Sequence, residues 1–286
     1  MASWQALLIG LLQGATELFP VSSLGHAVVL PSLLHWPFDQ SSPTFVPFLV
    51  LLHLGTATAL VILYWREWVR IVAGFVRAVV RGRIETADER MAILLLVATI
   101  PGAAIGELFV QPLTHLFATP RVAAAMLIVN AVVLLGAELL RRRSERRHLS
   151  REEQEGDFKE LGQIGMGAAA LVGLFQAAAF VPGISRSGIT MAGGLVAGLR
   201  HQDAAKFAFL MATPIIAGAG LLEMPQLVQQ GLDGSRWLVY LGAAVLAGCA
   251  AYVSARFLVR YFRSGRLDPY AAYCAAFGAV SLLLLR

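Results

Sequence analysis

Charged side chains are scarce in this chain. Asp, Glu, Lys and Arg make up 14% of its 286 residues, against about 25% in an ordinary globular domain. That scarcity excludes a conventional water-solvated surface. With 57% apolar residues and runs of roughly twenty apolar residues recurring from end to end, lipid becomes the expected solvent. Cysteine is almost missing: Cys249 and Cys274 lie in apolar segments without CxxC spacing. This excludes a disulfide framework and a thiolate metal site. The N-terminus lacks a basic leader, and its apolar stretch runs into polar residues rather than a small-residue cleavage site, so no signal peptide is expected.

What charge there is falls in blocks. The net charge is +5, and residues 66–90, 141–160 and 256–268 hold 17 of the 23 Lys and Arg side chains. The stretch RRRSERRHLSREEQEGD could serve as an RNA-binding tail, but a short mixed-charge linker between spans reads better as a solvated cytoplasmic loop. No nucleic-acid partner is expected. Basic residues beside spans set orientation, so the three blocks belong in the cytoplasm. Six spans then follow at about 45–65, 91–110, 121–140, 204–222, 237–256 and 269–285. The connections 32–44, 111–120 and 223–236 face outward.

Two apolar segments remain, 1–31 and 161–200. Each is long enough for two short helices but not two crossings, and each carries Gly, Pro and Ser in its middle. Parity makes both begin and end on one side, so both read as re-entrant hairpins. Broken backbone at membrane depth is tolerated only against protein or a water-filled cavity. A shift of 163 positions puts Gln13 on Gln176, Gly10 on Gly173, Ser22 on Ser185 and Gly25 on Gly188. Three spans follow each hairpin, so the halves are inverted relative to each other. The expected fold class is an all-α polytopic membrane protein, one domain over 1–286. It has repeat one at 1–140, a cytoplasmic loop at 141–160 and repeat two at 161–286, giving six transmembrane helices plus two re-entrant helical hairpins.

The first hairpin carries QGATELFPVSSLGH. Gln13 and Glu17 are four apart and share a helical face. Pro20 and Gly25 break the helix and leave Ser22, Ser23 and His26 at the tip. Serines there could be simple caps and the histidine an interfacial residue. A carboxylate inside a bilayer costs about 2.5 kcal/mol or more and usually faces a cavity with a function. The second hairpin carries VPGISRSG, where Arg186 is the only fixed positive charge between Lys159 and Arg200. Gly183 and Gly188 permit tight turning, and backbone donors with Ser185, Ser187 and a guanidinium fork suit phosphate oxygens. If the hairpins meet, Arg186 supplies an anion clamp, Ser23 a nucleophile, His26 a base, and Glu17 a cation ligand or an orienting group. That inventory fits phosphoryl transfer on a membrane-borne substrate. His53, midway along its span, must also find a partner there, either in the pocket or on a neighbouring helix.

The pair QGATELFPVSSLGH and PGISRSG, with FAFLMATP after the second, resembles the undecaprenyl-diphosphatase family of bacterial inner-membrane proteins, also called bacitracin-resistance proteins. The resemblance runs over essentially the whole chain. It implies hydrolysis of undecaprenyl diphosphate to the monophosphate and inorganic phosphate at the outer, periplasmic face, recycling the lipid carrier for peptidoglycan. It implies a divalent cation, Mg2+ or Ca2+, held by Glu17 with Gln13. It also implies Ser23 as nucleophile or phosphate contact, His26 as general base and Arg186 on the diphosphate. Three positions depart from the family pattern: Leu24 replaces a Thr, Gln13 a Glu, and Lys206 a Glu. The serine and histidine could equally divide the work another way, with His26 activating water or accepting the phosphoryl group. The expected partners are a polyprenyl diphosphate lipid and the bilayer, and a homodimer is compatible with the sequence. The alternative function is a transporter or flippase of an anionic polyprenyl phosphate, which would need the clamp but neither nucleophile nor base. A structural scaffold would leave Glu17 and Arg186 at depth unexplained.

Overall fold

Backbone in hydrocarbon must satisfy its hydrogen bonds within its own segment, which leaves helix as the economical element for a chain this apolar. The computed structural model describes residues 1–36, 40, 42–114, 119–149, 159 and 161–285, and among them the regular structure is helical. Among the described residues, five helices are long and apolar enough to cross a bilayer. They are α3 (Phe45–Leu63), α5 (Ala87–Thr114), α6 (Pro120–Leu149), α9 (His201–Gln229) and α10 (Gly234–Tyr261). The expected last span, 269–285, is the shorter α11 (Asp268–Leu284) of 17 residues, about 25 Å long. The segments 1–31 and 161–200 each form a pair of short helices. These are α1 (Ser3–Thr16) with α2 (Ser23–Leu33), and α7 (Met166–Ala177) with α8 (Arg186–Val196).

Two basic stretches differ from expectation. Residues 65–81 form α4 (Trp65–Arg81) where the charge pattern suggests only a loop. Arg66, Arg70, Arg77 and Arg81 fall on one face at helical spacing. A second face puts Ile71, Gly74 and Ala78 against protein, and a third leaves Val69, Val72, Val76 and Val79 exposed. A helix with one charged, one packed and one exposed apolar face suits the membrane surface. Helix α6 continues to Leu149, nine residues into the expected cytoplasmic loop, because Arg and Glu are good helix formers and no Gly or Pro interrupts them. The rest of that loop up to 160, apart from Lys159, lies outside the described residues. So do 37–39 and 41 of the 32–44 connection and 115–118 of the 111–120 connection.

Backbone contact through glycine sets the depth of the short helices. Helix α1 packs on α10 and α7 on α5. A Cβ at Gly10 would lie 2.4 Å from the Ala243 carbonyl oxygen, and one at Gly173 would lie 2.2 Å from that of Ala98. Only glycine permits either approach. The two positions are 163 apart, as are the bounds of α2 and α8 at both ends. Helix α6 packs against both α2 and α8, so the second helix of each pair meets the same central helix.

Candidate active site

The first pair breaks where the sequence demands it. Pro20 disfavours helix at Phe19, so α1 ends at Thr16 and the chain turns through 17–22. Ser22 then caps α2 by accepting from the Gly25 N–H at 3.1 Å. Ser185 caps α8 in the same way, from Gly188 N–H at 3.1 Å. The caps match but their backbones do not. Ser22 sits at φ 66°, whereas Ser185 is extended. A non-glycine residue at such a φ stores strain that surrounding contacts must hold. In the second turn the positive φ, 101°, falls on Gly183, where a Cβ would also strike the Ala123 carbonyl oxygen at 2.2 Å.

The two turns are stitched together. Ser22 Oγ donates to the Ile184 carbonyl (3.3 Å), Ser185 Oγ to that of Phe19 (3.3 Å), and Ser187 Oγ to those of Glu17 and Phe19 (3.2 and 3.1 Å). Asn130 of α6 bridges them. Its Nδ2 donates to the Pro20 carbonyl at 3.0 Å, and its Oδ1 accepts from the Ser185 N–H at 3.0 Å. Asn130→Leu would leave the Ser185 N–H without a partner, at about 1–3 kcal/mol, and the Pro20 carbonyl with only the weak Cys274 thiol donor at 3.7 Å. We expect it to lower the unfolding temperature in detergent and to cut turnover at least tenfold. Asn130→Asp, which keeps the acceptor, should fall between.

Glu17 is the hub of what the stitching assembles. Its Oε2 accepts from Ser23 Oγ at 2.5 Å and Gln13 Nε2 at 2.6 Å, and lies 3.2 Å from His53 Nε2. Its Oε1 pairs with Arg186 Nη2. His53 Nδ1 donates to the Leu49 carbonyl at 2.7 Å, which fixes the ring with Nε2 towards Glu17. Glu17, Ser23, His53 and Arg186 line a cavity of about 190 Å3 whose other walls are mostly apolar, among them Leu24, Leu49, Val50, Phe180, Ile184 and Ile216. A buried carboxylate–guanidinium pair is a costly arrangement, kept here where the cavity can bring an anion to it.

The expected site residues divide by place. Glu17, Ser22, Ser23, His53, Ser185 and Arg186 line the cavity. Gln13 stands behind Glu17, and Gly183, Ser187 and Gly188 shape the second turn. His26 does not line it. It is 1% exposed, its Nδ1 donates to the Ser22 carbonyl at 2.7 Å, and its Nε2 accepts from Tyr273 O–H at 2.7 Å. Phe277 stacks on its ring at 4.7 Å. Lys206 reaches Glu67 at 3.5 Å rather than the cavity. Sequence reasoning passed over Asn130, Gln176 and Glu223. Asn130 stands alone in MLIVNAVVLL, a signal of the same kind as Glu17. Gln176 was visible only as the partner of Gln13, and Glu223 lies in a stretch read as an outer connection.

Oxygen donors for a divalent cation exist at the hub. Gln13 Oε1 is buried without a hydrogen-bond partner beside the Glu17 carboxylate. Among the described residues no group of three His, Cys, Asp or Glu is placed to hold a metal alone. Gln13 Oε1 and the Glu17 carboxylate are the protein oxygens that would meet such a cation there.

A family model described as "Bacitracin resistance protein BacA" matches residues 6–280. Similar proteins include the undecaprenyl-diphosphatase of Acidiphilium cryptum, 49% identical over 98% of this chain and 97% of that protein. That of Granulibacter bethesdensis is 44% identical over 99% and 97%, and that of Mycobacterium avium 43% identical over 98% and 96%. With the match running through both turns and every long helix, the chain belongs to the bacitracin resistance protein BacA family and is a multi-pass membrane protein.

Proposed function

We infer that this chain hydrolyses undecaprenyl diphosphate to undecaprenyl phosphate and inorganic phosphate. The observation that carries the inference is a hydroxyl already hydrogen-bonded to a carboxylate, beside a guanidinium, in a cavity whose walls are mostly apolar. The apolar walls suit a polyprenyl chain and the polar groups its diphosphate. Relatives named as undecaprenyl-diphosphatases support the substrate. The consequence in the cell is recycling of the lipid carrier and resistance to bacitracin.

The chemistry follows from the contacts. Substrate phosphate takes the place of Glu17 at the Arg186 fork, which neutralises the transferring phosphoryl group. Ser23 Oγ attacks the terminal phosphorus and gives its proton to Glu17 Oε2. The bond from that phosphorus to the bridging oxygen breaks, and the lipid monophosphate leaves with the electron pair. Water then attacks the phosphoserine. The bond from phosphorus to Ser23 Oγ breaks, both protons of the water leave on the released phosphate, and Glu17 returns the first proton to the Ser23 oxygen. Gln13 and Glu17 would hold the divalent cation, Mg2+ or Ca2+, which when bound supplies further charge neutralisation to the diphosphate. His26 holds the strained Ser22 carbonyl from behind. We expect His26→Phe, which keeps the stack and loses both hydrogen bonds, to lower kcat about tenfold to a hundredfold with a parallel loss of thermal stability. A pH–rate profile unchanged in shape would mark His26 as a positioning residue.

The architecture extends the same reading. Two re-entrant hairpins, six crossing helices and an inverted repeat account for the shared shift of 163 in helix bounds, caps and close-packed glycines. The arginine-rich segments favour a cytoplasmic start for α9. Ile215 and Ile216, at the middle of that helix, and Ala219 and Glu223, towards its outer end, line the cavity, which supports a site opening to the periplasm. Product analysis of detergent-purified chain tests the function. One phosphate released per lipid monophosphate formed supports it. Lipid bound but left intact by folded protein would favour the carrier instead.

A further inference from the structure

Gln176 is 2% exposed, and both its amide nitrogen and its amide oxygen lack hydrogen-bond partners. Leaving such groups buried and unpaired is costly, so the position asks for a partner that the described chain does not provide. Gln176 is among the residues that line the cavity shared by Glu17 and Arg186. Its place is fixed by α5. Gly173, one turn earlier, seats α7 on the Ala98 carbonyl, and a Cβ at Gly102 would lie 2.9 Å from Gln176 Nε2. The missing side chain at Gly102 is what leaves the amide its room.

Comparison of the two halves shows what is absent. Gln13 gives its Nε2 to Glu17, four residues later, at 2.6 Å. Gln176 occupies the equivalent place in the second half, but four residues later the chain has Phe180. The amide is present in both halves, but in the second an apolar ring on the cavity wall stands where the first has the carboxylate. An anion carried in by a ligand fills that vacancy chemically.

Resting on the diphosphatase reading, we propose that Gln176 binds the phosphate retained on the lipid, donating its side-chain N–H to a non-bridging oxygen of that group. The terminal phosphoryl group is taken by Ser23 and Arg186. The phosphate nearer the lipid follows along the same cavity lining, which includes Gln176, Ala179 and Phe180. A neutral amide has a further advantage over a second cation. As the bridging bond breaks, charge grows on the departing phosphate, and a fixed N–H stabilises that charge. The amide then holds the finished anion less tightly than an ammonium or guanidinium would, so product can leave.

The test is direct binding, which needs no turnover. Affinities of wild type and Gln176→Leu are measured for undecaprenyl phosphate, by displacement of a fluorescent polyprenyl phosphate, and for inorganic phosphate. Hydrolysis of undecaprenyl diphosphate is followed alongside. We expect Gln176→Leu to weaken binding of undecaprenyl phosphate about tenfold to a hundredfold and inorganic phosphate by less than about twofold. Gln176→Glu should be worse than Gln176→Leu for the lipid, because a second carboxylate meets the anion. Gly102→Ala displaces the amide without removing it and should give the same selective loss, more weakly. It also serves as the second variant where Gln176→Leu folds poorly. Unchanged lipid affinity in both variants would overturn the proposal, and so would equal loss of both ligands, which would make Gln176 a support of the whole site. Wild-type turnover judges the function separately.

Discussion

Arg186→Ala should lower kcat for undecaprenyl diphosphate by on the order of 10^3-fold or more, about 4 kcal/mol of transition-state stabilisation. The side chain does two jobs that no neighbour can assume. Before substrate arrives it pairs with Glu17, in a cavity whose other walls are mostly apolar. When phosphate displaces the carboxylate, the fork meets charge that grows during transfer. Arg186→Lys keeps the charge but loses the paired donors, and should recover only part of the rate. Steady-state kinetics in detergent, with circular dichroism as the control for folding, would show this. A loss confined to KM would mean that Arg186 binds ground state and transition state alike.

Ser23→Ala should be at least as severe, on the order of 10^4-fold in kcat, because it removes the nucleophile and leaves only binding and electrostatics. Its fold should survive, since Ser22 and not Ser23 caps α2. Rapid quenching of wild type with terminally labelled substrate should place label on the peptide that contains Ser23, at early times only. Ser23→Ala that retained substantial turnover would transfer the attack to water, with Glu17 left as its base.

How much of this was legible beforehand depended on the kind of signal. Glu17 and Arg186 announce themselves because charge in hydrocarbon is expensive wherever the chain later folds. The breaks at Pro20 and Gly183 were visible because those residues act locally, and the shift of 163 anticipated which caps would correspond. The direction in which His26 faces was not visible. It is set by Tyr273 and Phe277, some 250 residues away, and nothing within GHAVVL registers them. Helix α4 was missed for a different reason. Counting arginines draws attention to charge, whereas the helical spacing that places them on one face appears only when the valines between them are read as a second face. Asn130 was legible and overlooked: one amide in an apolar helix is the same signal as one carboxylate, at lower amplitude. Gln176 could be aligned from sequence, but only the structure shows its amide without partners.

The most direct test measures inorganic phosphate released from undecaprenyl diphosphate by purified wild type and Arg186→Ala, each with and without added guanidinium ion. The account predicts release by wild type, loss in the variant, and partial restoration when free guanidinium refills the space beside Glu17 and Ser23. Folded wild type that binds the lipid without releasing phosphate, or Arg186→Ala that turns over at the wild-type rate, would contradict it.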